Sequence, residues 1–335
     1  MLLKRGQEEP ILKYIIEMIF VRSLFIATVT MSVSAAQPSQ ATPGYVPLYQ
    51  TLPPTPVLPP NARFAGSANI NNISLWYTLY GPPLNKPQKK LPIVLLHGGK
   101  ISSRWLTHQI QYLSSPPLSH PVIAIDTRSH GRSSDDPSVP LSYSLFANDT
   151  ATLLRSHLDI SRAGFVGWSD GANTILSLLI DHHSTPNAAL VDRAFIFGAN
   201  YRYDQLNVTG LLGIPFLNDL AGRMQSELTA LTPTVPKDYA AFSTRVSEMQ
   251  DTSPSWSAGD FGKIKTLYRD PKNAPIVWIV DGDSEEIVQR SVAGEMRDMI
   301  WGSSLVILPD VGHFAPVQDP GTFNAMLARW ISRER

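Results

Sequence analysis

Cysteine is absent from the 335 residues. That excludes disulfides, cysteine–zinc sites and thiol catalysis, although it leaves the cellular compartment open. An excess of charge of either sign is missing too, with 28 basic residues against 28 acidic ones. Nothing in that balance calls for nucleic acid or a polyanionic surface as partner. Internal repeats are lacking, and the one apolar run near the N-terminus, residues 23–33, is too short for a comfortable membrane span. The apolar content is ordinary for a globular protein with a sizeable core.

What is present begins with a leader. Met18–Arg22 runs into the apolar stretch Ser23–Val33 and closes on Ser34-Ala35-Ala36-Gln37-Pro38. One basic residue, a short apolar run and small residues at its end describe a secretory signal peptide over 1–36, with Met18 as an alternative start. The expectation is a secreted chain with no membrane span after cleavage; an uncleaved N-terminal anchor is the rival reading. Three acceptor sequons, at Asn72, Asn148 and Asn207, agree with secretion without proving it. Residues 37–62 are expected to form a proline-rich linker, since eight prolines between 37 and 60 prevent a helix or a central strand. The alternative is an ordered arm along the domain surface.

From about Arg63 to Arg335 the pattern is that of an α/β domain. Ser67–Ile70 and Ile73–Tyr80 flank Asn71-Asn72, a hairpin signal. Apolar runs at 92–96 and 121–125 read as buried strands, the first covered on both faces as in a parallel sheet, and 163–166, 193–197, 275–280 and 304–308 read as further strands of the same mostly parallel sheet. Segments with helical spacing lie between them, at 104–113, 142–158, 172–180, 286–299 and 314–330. The alternation predicts a doubly wound sheet led by an antiparallel hairpin. Residues 200–262 break the alternation, are too long for a simple loop, and are expected to form an inserted helical lid.

The chemistry gathers at the strand C-termini. Gly167-Trp168-Ser169-Asp170-Gly171 places a serine between a strand and a helix, with small residues two positions away on each side. Such a turn raises the hydroxyl at the sheet edge, and the helix N-terminus behind it favours a developing negative charge. Serine needs a base, and His313, in the turn after the last strand, is the best placed of the eight histidines. The base needs a carboxylate, and the loop Asp281-Gly282-Asp283-Ser284-Glu285-Glu286 offers four. The N–H of Asp170 is one expected oxyanion donor. The loop His97-Gly98-Gly99 should supply the other, its glycines allowing a substrate oxygen close to the backbone. Trp168, with Tyr201, Tyr203 and Phe216, hints at an apolar acyl pocket.

With those motifs, Asp126–Ser133 and Gly312-His313-Phe314 also in place, the chain resembles the α/β-hydrolase fold superfamily over roughly residues 65–333. The resemblance implies a serine hydrolase of the esterase or lipase-like branch, working without metal or organic cofactor on a small ester-like molecule. It also implies the triad acid. The position three residues after the glycine of the acidic turn is Glu285, where aspartate is commoner, and Asp283 is the understudy. The implied roles are Ser169 as nucleophile, His313 as base, Gly99 and Asp170 at the oxyanion hole, and Gly98 and Trp168 against substrate. Arg128 and His130 are expected to shape the pocket wall, and the Asp170 side chain to point away from the site. A carboxylate nucleophile is disfavoured because the apex of the turn is Ser169, not Asp170. The same residues could instead serve carbon–carbon bond hydrolysis or perhydrolysis, or persist in a binding protein of this fold.

Overall fold

The eight strands of the sheet run β1 Phe64–Ile70, β2 Ile73–Tyr80, β3 Ile93–Leu96, β4 Val122–Ile125, β5 Ala163–Trp168, β6 Val191–Phe197, β7 Ile276–Gly282 and β8 Ser304–Leu308. Their spatial order is β1-β2-β4-β3-β5-β6-β7-β8. Only β2 runs against its neighbours, pairing antiparallel with β1 and β4; every other pair is parallel. The structure is a computed structural model that describes residues 45–84, 90–232, 237–268 and 274–334. The expected leader, 1–36, lies outside the described residues. Among the described residues no helix is long and apolar enough to cross a membrane.

Alternating strand residues feed two cores. Val94, Leu96, Phe165, Ile196 and Ile279 face one side with the helix Asp170–Ile180, whereas Ile93, Leu95, Val166, Phe195 and Val280 face the other with Ile110, Phe323 and Trp330. Burial on both faces is why these strands read as unbroken apolar runs. The strand order reverses between β3 and β5, and sheets of this kind bind ligands beyond the strand C-termini at such a reversal. At the hairpin, Asn71 and Asn72 both take positive φ, 48° and 63°, as a two-residue type I′ turn requires.

Several segments depart from the sequence expectation. From Pro47 onward the proline-rich segment belongs to the compact unit rather than forming a free spacer. Leu48, Leu52 and Leu58 pack against the second core. Proline carbonyls accept but have no N–H to offer in return, so side chains hold the arm. Tyr80 Oη donates to Pro59 O at 3.0 Å and Arg104 Nε to Pro56 O at 3.2 Å. The expected helix at 286–299 begins only at Ser291, because the backbone of 287–289 pairs with 205–207 (Asn207 N–H to Ile287 O, 2.7 Å). The closing helix is two helices, Ala315–Gln318 and Pro320–Ile331, since Pro320 has no N–H to continue the first.

The insertion between β6 and β7 contains the helices Val208–Leu212, Leu217–Leu231, Tyr239–Gln250 and Ala258–Leu267. The last of these is a crossover helix, its Phe261 and Ile264 buried in the first core, so the lid is shorter than its expected 200–262 extent. Buried polar contacts tie the lid down. Lys237 Nζ donates to the carbonyls of Ser129 (2.7 Å), Gly131 (3.0 Å) and Ser133. Glu227 accepts from Ser102 Oγ and from Trp105 Nε1 (2.6 Å), and burial raises its pKa. Both Glu227 oxygens have donors, and removing the carboxylate strands two buried donors. Glu227→Ala should therefore cost about 2–4 kcal/mol in chemical denaturation. Glu227→Gln, which keeps an acceptor and sheds a buried charge, should stay within about 1 kcal/mol of the parent.

Candidate active site

Ser169 ends β5 and precedes the helix Asp170–Ile180, with φ 55° and ψ −116°. A non-glycine residue held there carries about 1–3 kcal/mol of backbone strain and needs neighbours that enforce it. The enforcement is close packing of backbone on backbone. A Cβ on Gly167 would lie 2.5 Å from Gly171 O, and one on Gly171 would collide with Leu96 O. Ser169 N–H donates to Phe197 O at 2.8 Å, and Ser169 O starts the helix by accepting from Asn173 N–H at 2.9 Å. Ser169 is partly accessible between two buried neighbours, Trp168 and Asp170.

His313 follows β8 and is buried. Its Nδ1 lies 2.9 and 3.0 Å from the two oxygens of Glu285, itself almost fully enclosed. Glu285 Oε1 also accepts from Ile287 N–H (2.8 Å) and Val288 N–H (3.0 Å). Gly198, at φ 63°, lets the ring lie flat on the turn after β6: a Cβ there would be 2.9 Å from His313 Cε1. That turn directly follows Phe197, the acceptor of the Ser169 N–H, so imidazole and serine flank the same two residues. Burial lowers the His313 pKa, against the pull of Glu286, Asp281 and Asp170, and so favours a neutral imidazole. Glu286 accepts the His313 backbone N–H at 2.9 Å, and burial raises its pKa to about 7. Asp283, the understudy acid, is exposed, and its side chain makes none of the contacts around His313.

The loop after β3 packs against Ser169. A Cβ on Gly98 would sit 3.3 Å from Ser169 Cβ. His97 braces this loop from below, its Nε2 accepting Thr127 N–H at 3.1 Å. Asp170 opens its helix, so its N–H has no acceptor within that helix. Its carboxyl does not point away as expected: it lies against Gly99, in the space a Cβ there would need. Tyr143 Oη donates to Asp170 Oδ1 at 2.8 Å and Gln250 Nε2, from the lid, to Oδ2 at 2.9 Å. Lys100 donates to Ser247 Oγ of the same lid helix at 2.7 Å, and burial lowers its pKa to about 8.

Residues 93–326 match the alpha/beta hydrolase family. The chain belongs to that family. Its fold is shared by a hydrolase from Pseudomonas aeruginosa PA01, at TM-score 0.60 and 19% identity over 82% of this chain and 100% of that one. It is also similar to the enol-lactonase of Burkholderia xenovorans LB400, with TM-score 0.58, 19% identity, and coverage of 80% and 100%. Naproxen esterase from Bacillus subtilis matches at TM-score 0.54 and 16% identity, with coverage of 82% and 93%.

In this alpha/beta hydrolase several expected residues have other surroundings. Trp168 is buried in the second core with Trp105 and Phe314 (ring centroids 6.3 and 5.7 Å), and its ring lies 6.3 Å from that of His313. The period of two along β5 decides this: Trp168 shares its face with Val166. Phe216 packs edge-on against Phe314 in the same core, and Tyr201 Oη donates to Glu295 at 2.7 Å. Arg128 pairs with Asp149 through two bonds of 2.7 and 2.8 Å and braces the hairpin rather than a pocket. His130 is buried between Phe146 and Phe242. Asn72 and Asn148 are exposed, whereas Asn207 is half-buried and caps the helix after it through Gly210 N–H (2.9 Å). The Tyr143 and Gln250 contacts had no counterpart in the sequence reading, because nothing in their local spacing marks them.

The Asp170 cluster gives a direct test. Tyr143→Phe removes one of the two side-chain donors to a buried carboxyl while keeping the ring. It should lower unfolding free energy by about 1–3 kcal/mol in urea titration. An unchanged midpoint would mean that Asp170 does not depend on that bond.

Proposed function

We propose that this alpha/beta hydrolase is a serine hydrolase that cleaves a carboxylic ester, thioester or lactone through an acyl-enzyme. One observation carries the reading: a buried imidazole, anchored at Nδ1 by a buried carboxylate, stands beside the turn that also receives the strained serine. Anchoring Nδ1 leaves Nε2 as the nitrogen that exchanges protons with substrate and nucleophile.

In the proposed cycle Ser169 Oγ attacks the carbonyl carbon and its proton passes to His313 Nε2. Glu285 holds the ring and stabilises the imidazolium that forms. The carbonyl oxygen becomes an oxyanion that accepts from the N–H groups of Asp170 and Gly99, a contribution of about 3–4 kcal/mol per donor. The tetrahedral species collapses, the bond to the leaving group breaks, and His313 gives that group its proton. Water, deprotonated by the same imidazole, then attacks the acyl carbon and frees the acid and Ser169. Gly98 packs against Ser169, where a Cβ would lie 3.3 Å from that of the serine. The names of two fold neighbours, an enol-lactonase and an esterase, agree with carbonyl chemistry of this kind. We further propose that the chain is secreted and that Asn72 and Asn148, both exposed, are the sequons open to glycosylation.

The purified chain should hydrolyse short-chain acyl esters and be labelled by an organophosphonate on the peptide holding Ser169. Ser169→Ala should lose the label and about 10⁴-fold or more of kcat. Full turnover in Ser169→Ala would end the proposal. The pH profile supplies a second measurement. Only neutral imidazole accepts the serine proton, so kcat/KM rises with pH through the His313 pKa. Because burial lowers that pKa from 6.5, the acid-side half-point should fall below pH 6.5. A half-point above 6.5 would contradict a desolvated base.

A further inference from the structure

The proline-rich arm does more than cover apolar surface. Its single helical turn, Leu48–Gln50, lies against the loop that carries His313. Tyr49 N–H donates to Asp310 O at 3.2 Å, three residues before the imidazole. Gln318, buried at the end of the helix Ala315–Gln318, joins the same two segments. Its Oε1 accepts Gly312 N–H at 3.0 Å. Its Nε2 donates to Thr51 O at 3.1 Å and to Tyr49 O at 3.4 Å. Only one orientation of the amide satisfies all three bonds. The reverse would set two carbonyls against its oxygen and an N–H against its nitrogen. Pro53 and Pro54 have no N–H with which to extend the turn, so the Tyr49 carbonyl is left for a side chain.

The two backbone N–H groups that lead into the imidazole are both held by side chains. Gln318 accepts that of Gly312, and Glu286 accepts that of His313 at 2.9 Å. Glu285 fixes the ring at Nδ1 but not the backbone from which the ring extends. The Gln318 bond is buried, so losing it strands the Gly312 N–H where no water replaces it. We propose that Gln318 is a positioning residue through which the arm sets the place of the catalytic base: its amide couples residues 49–51 to the Gly312-His313 turn. The role rests on the hydrolase reading; the coupling does not. The arm also reaches the lid, where Arg223 donates to Pro53 O at 2.5 Å and to Leu52 O at 3.3 Å. That tie leaves the His313 turn untouched.

The coupling can be read without turnover. A neutral imidazole donating Nδ1–H to a buried carboxylate gives a far-downfield proton resonance, identified by nitrogen-15 histidine and by its loss in His313→Ala. In the full chain, Gln318→Met removes both ends of the amide at similar length. It should move or broaden that resonance and lower kcat about tenfold with KM little changed, because a displaced base slows the chemical step. Arg223→Met, which cuts the arm from the lid alone, should leave the resonance in place. Cutting the folded chain at a protease site inserted beside the exposed Asn61, and washing out the arm, should displace the resonance as Gln318→Met does. If Gln318→Met fails to fold, the cut chain, folded before cleavage, carries the test. A parent-like resonance in folded Gln318→Met or in the cut chain would overturn the coupling. So would an equal displacement in Arg223→Met, which would mean general loosening. Raised KM with unchanged kcat in Gln318→Met would take the amide away from the base. A resonance displaced as expected in a chain that no phosphonate labels would sink the hydrolase reading and leave the coupling standing.

Discussion

The backbone of helix Asp170–Ile180 touches the end of β3, and most of the site follows from that approach. Gly171 has no Cβ because Leu96 O occupies the place one would take. With the helix so close, β5 has no room for a gradual turn, and Ser169 is forced to φ 55°. The strain is local, about 1–3 kcal/mol, and is opposed by two fully packed cores on either side of the sheet. A flexible loop could not hold the serine there. It would relax to an ordinary conformation, and the hydroxyl would drop away from the C-terminal edge of the sheet between β3 and β5.

Around that turn the protein keeps charge in places where water does not reach, and each charge has its donors. Glu285 has two backbone N–H groups and an imidazole; Asp170 has a phenol and an amide; Glu227 has a hydroxyl and an indole. Low local dielectric strengthens each of these bonds and makes each missing partner costly. Three of the polar links join the lid to the sheet edge: Glu227 to Ser102 and Trp105, Lys237 to the carbonyls of 129–133, and Gln250 to Asp170. The lid helix that carries Gln250 therefore shares a hydrogen-bond network with the residue after the serine. Any movement of that helix is felt at Asp170, whose N–H belongs to the proposed oxyanion hole.

Much of the architecture was legible beforehand. Apolar runs predicted the six parallel strands β3 to β8, Asn71-Asn72 the hairpin, and the small residues around Ser169 the elbow. The misses have specific causes. A proline-rich segment resembles a spacer in composition, but its carbonyls found Tyr80 and Arg104, which lie far along the chain. Helical spacing at 286–299 was real, yet the first residues were claimed by pairing with 205–207 and by the demand of Glu285 for their N–H groups.

Local sequence determined what local forces control: where a backbone can twist, where a run of side chains has a buried side, and which residue types stand at the strand ends. The resemblance pointed to Glu285, but only tertiary structure supplies the reason that it, of four neighbouring carboxyls, meets His313. Asp281, Asp283, Glu285 and Glu286 are alike in composition and within six residues of one another. They are separated by burial and by the donors each receives: Asp283 is exposed, Glu286 accepts the His313 backbone N–H, buried Asp281 accepts the N–H of Gly282, and Glu285 meets an imidazole 28 residues beyond it. Desolvation and long-range hydrogen bonding set the state of a carboxyl, and neither exists until the chain has folded around it.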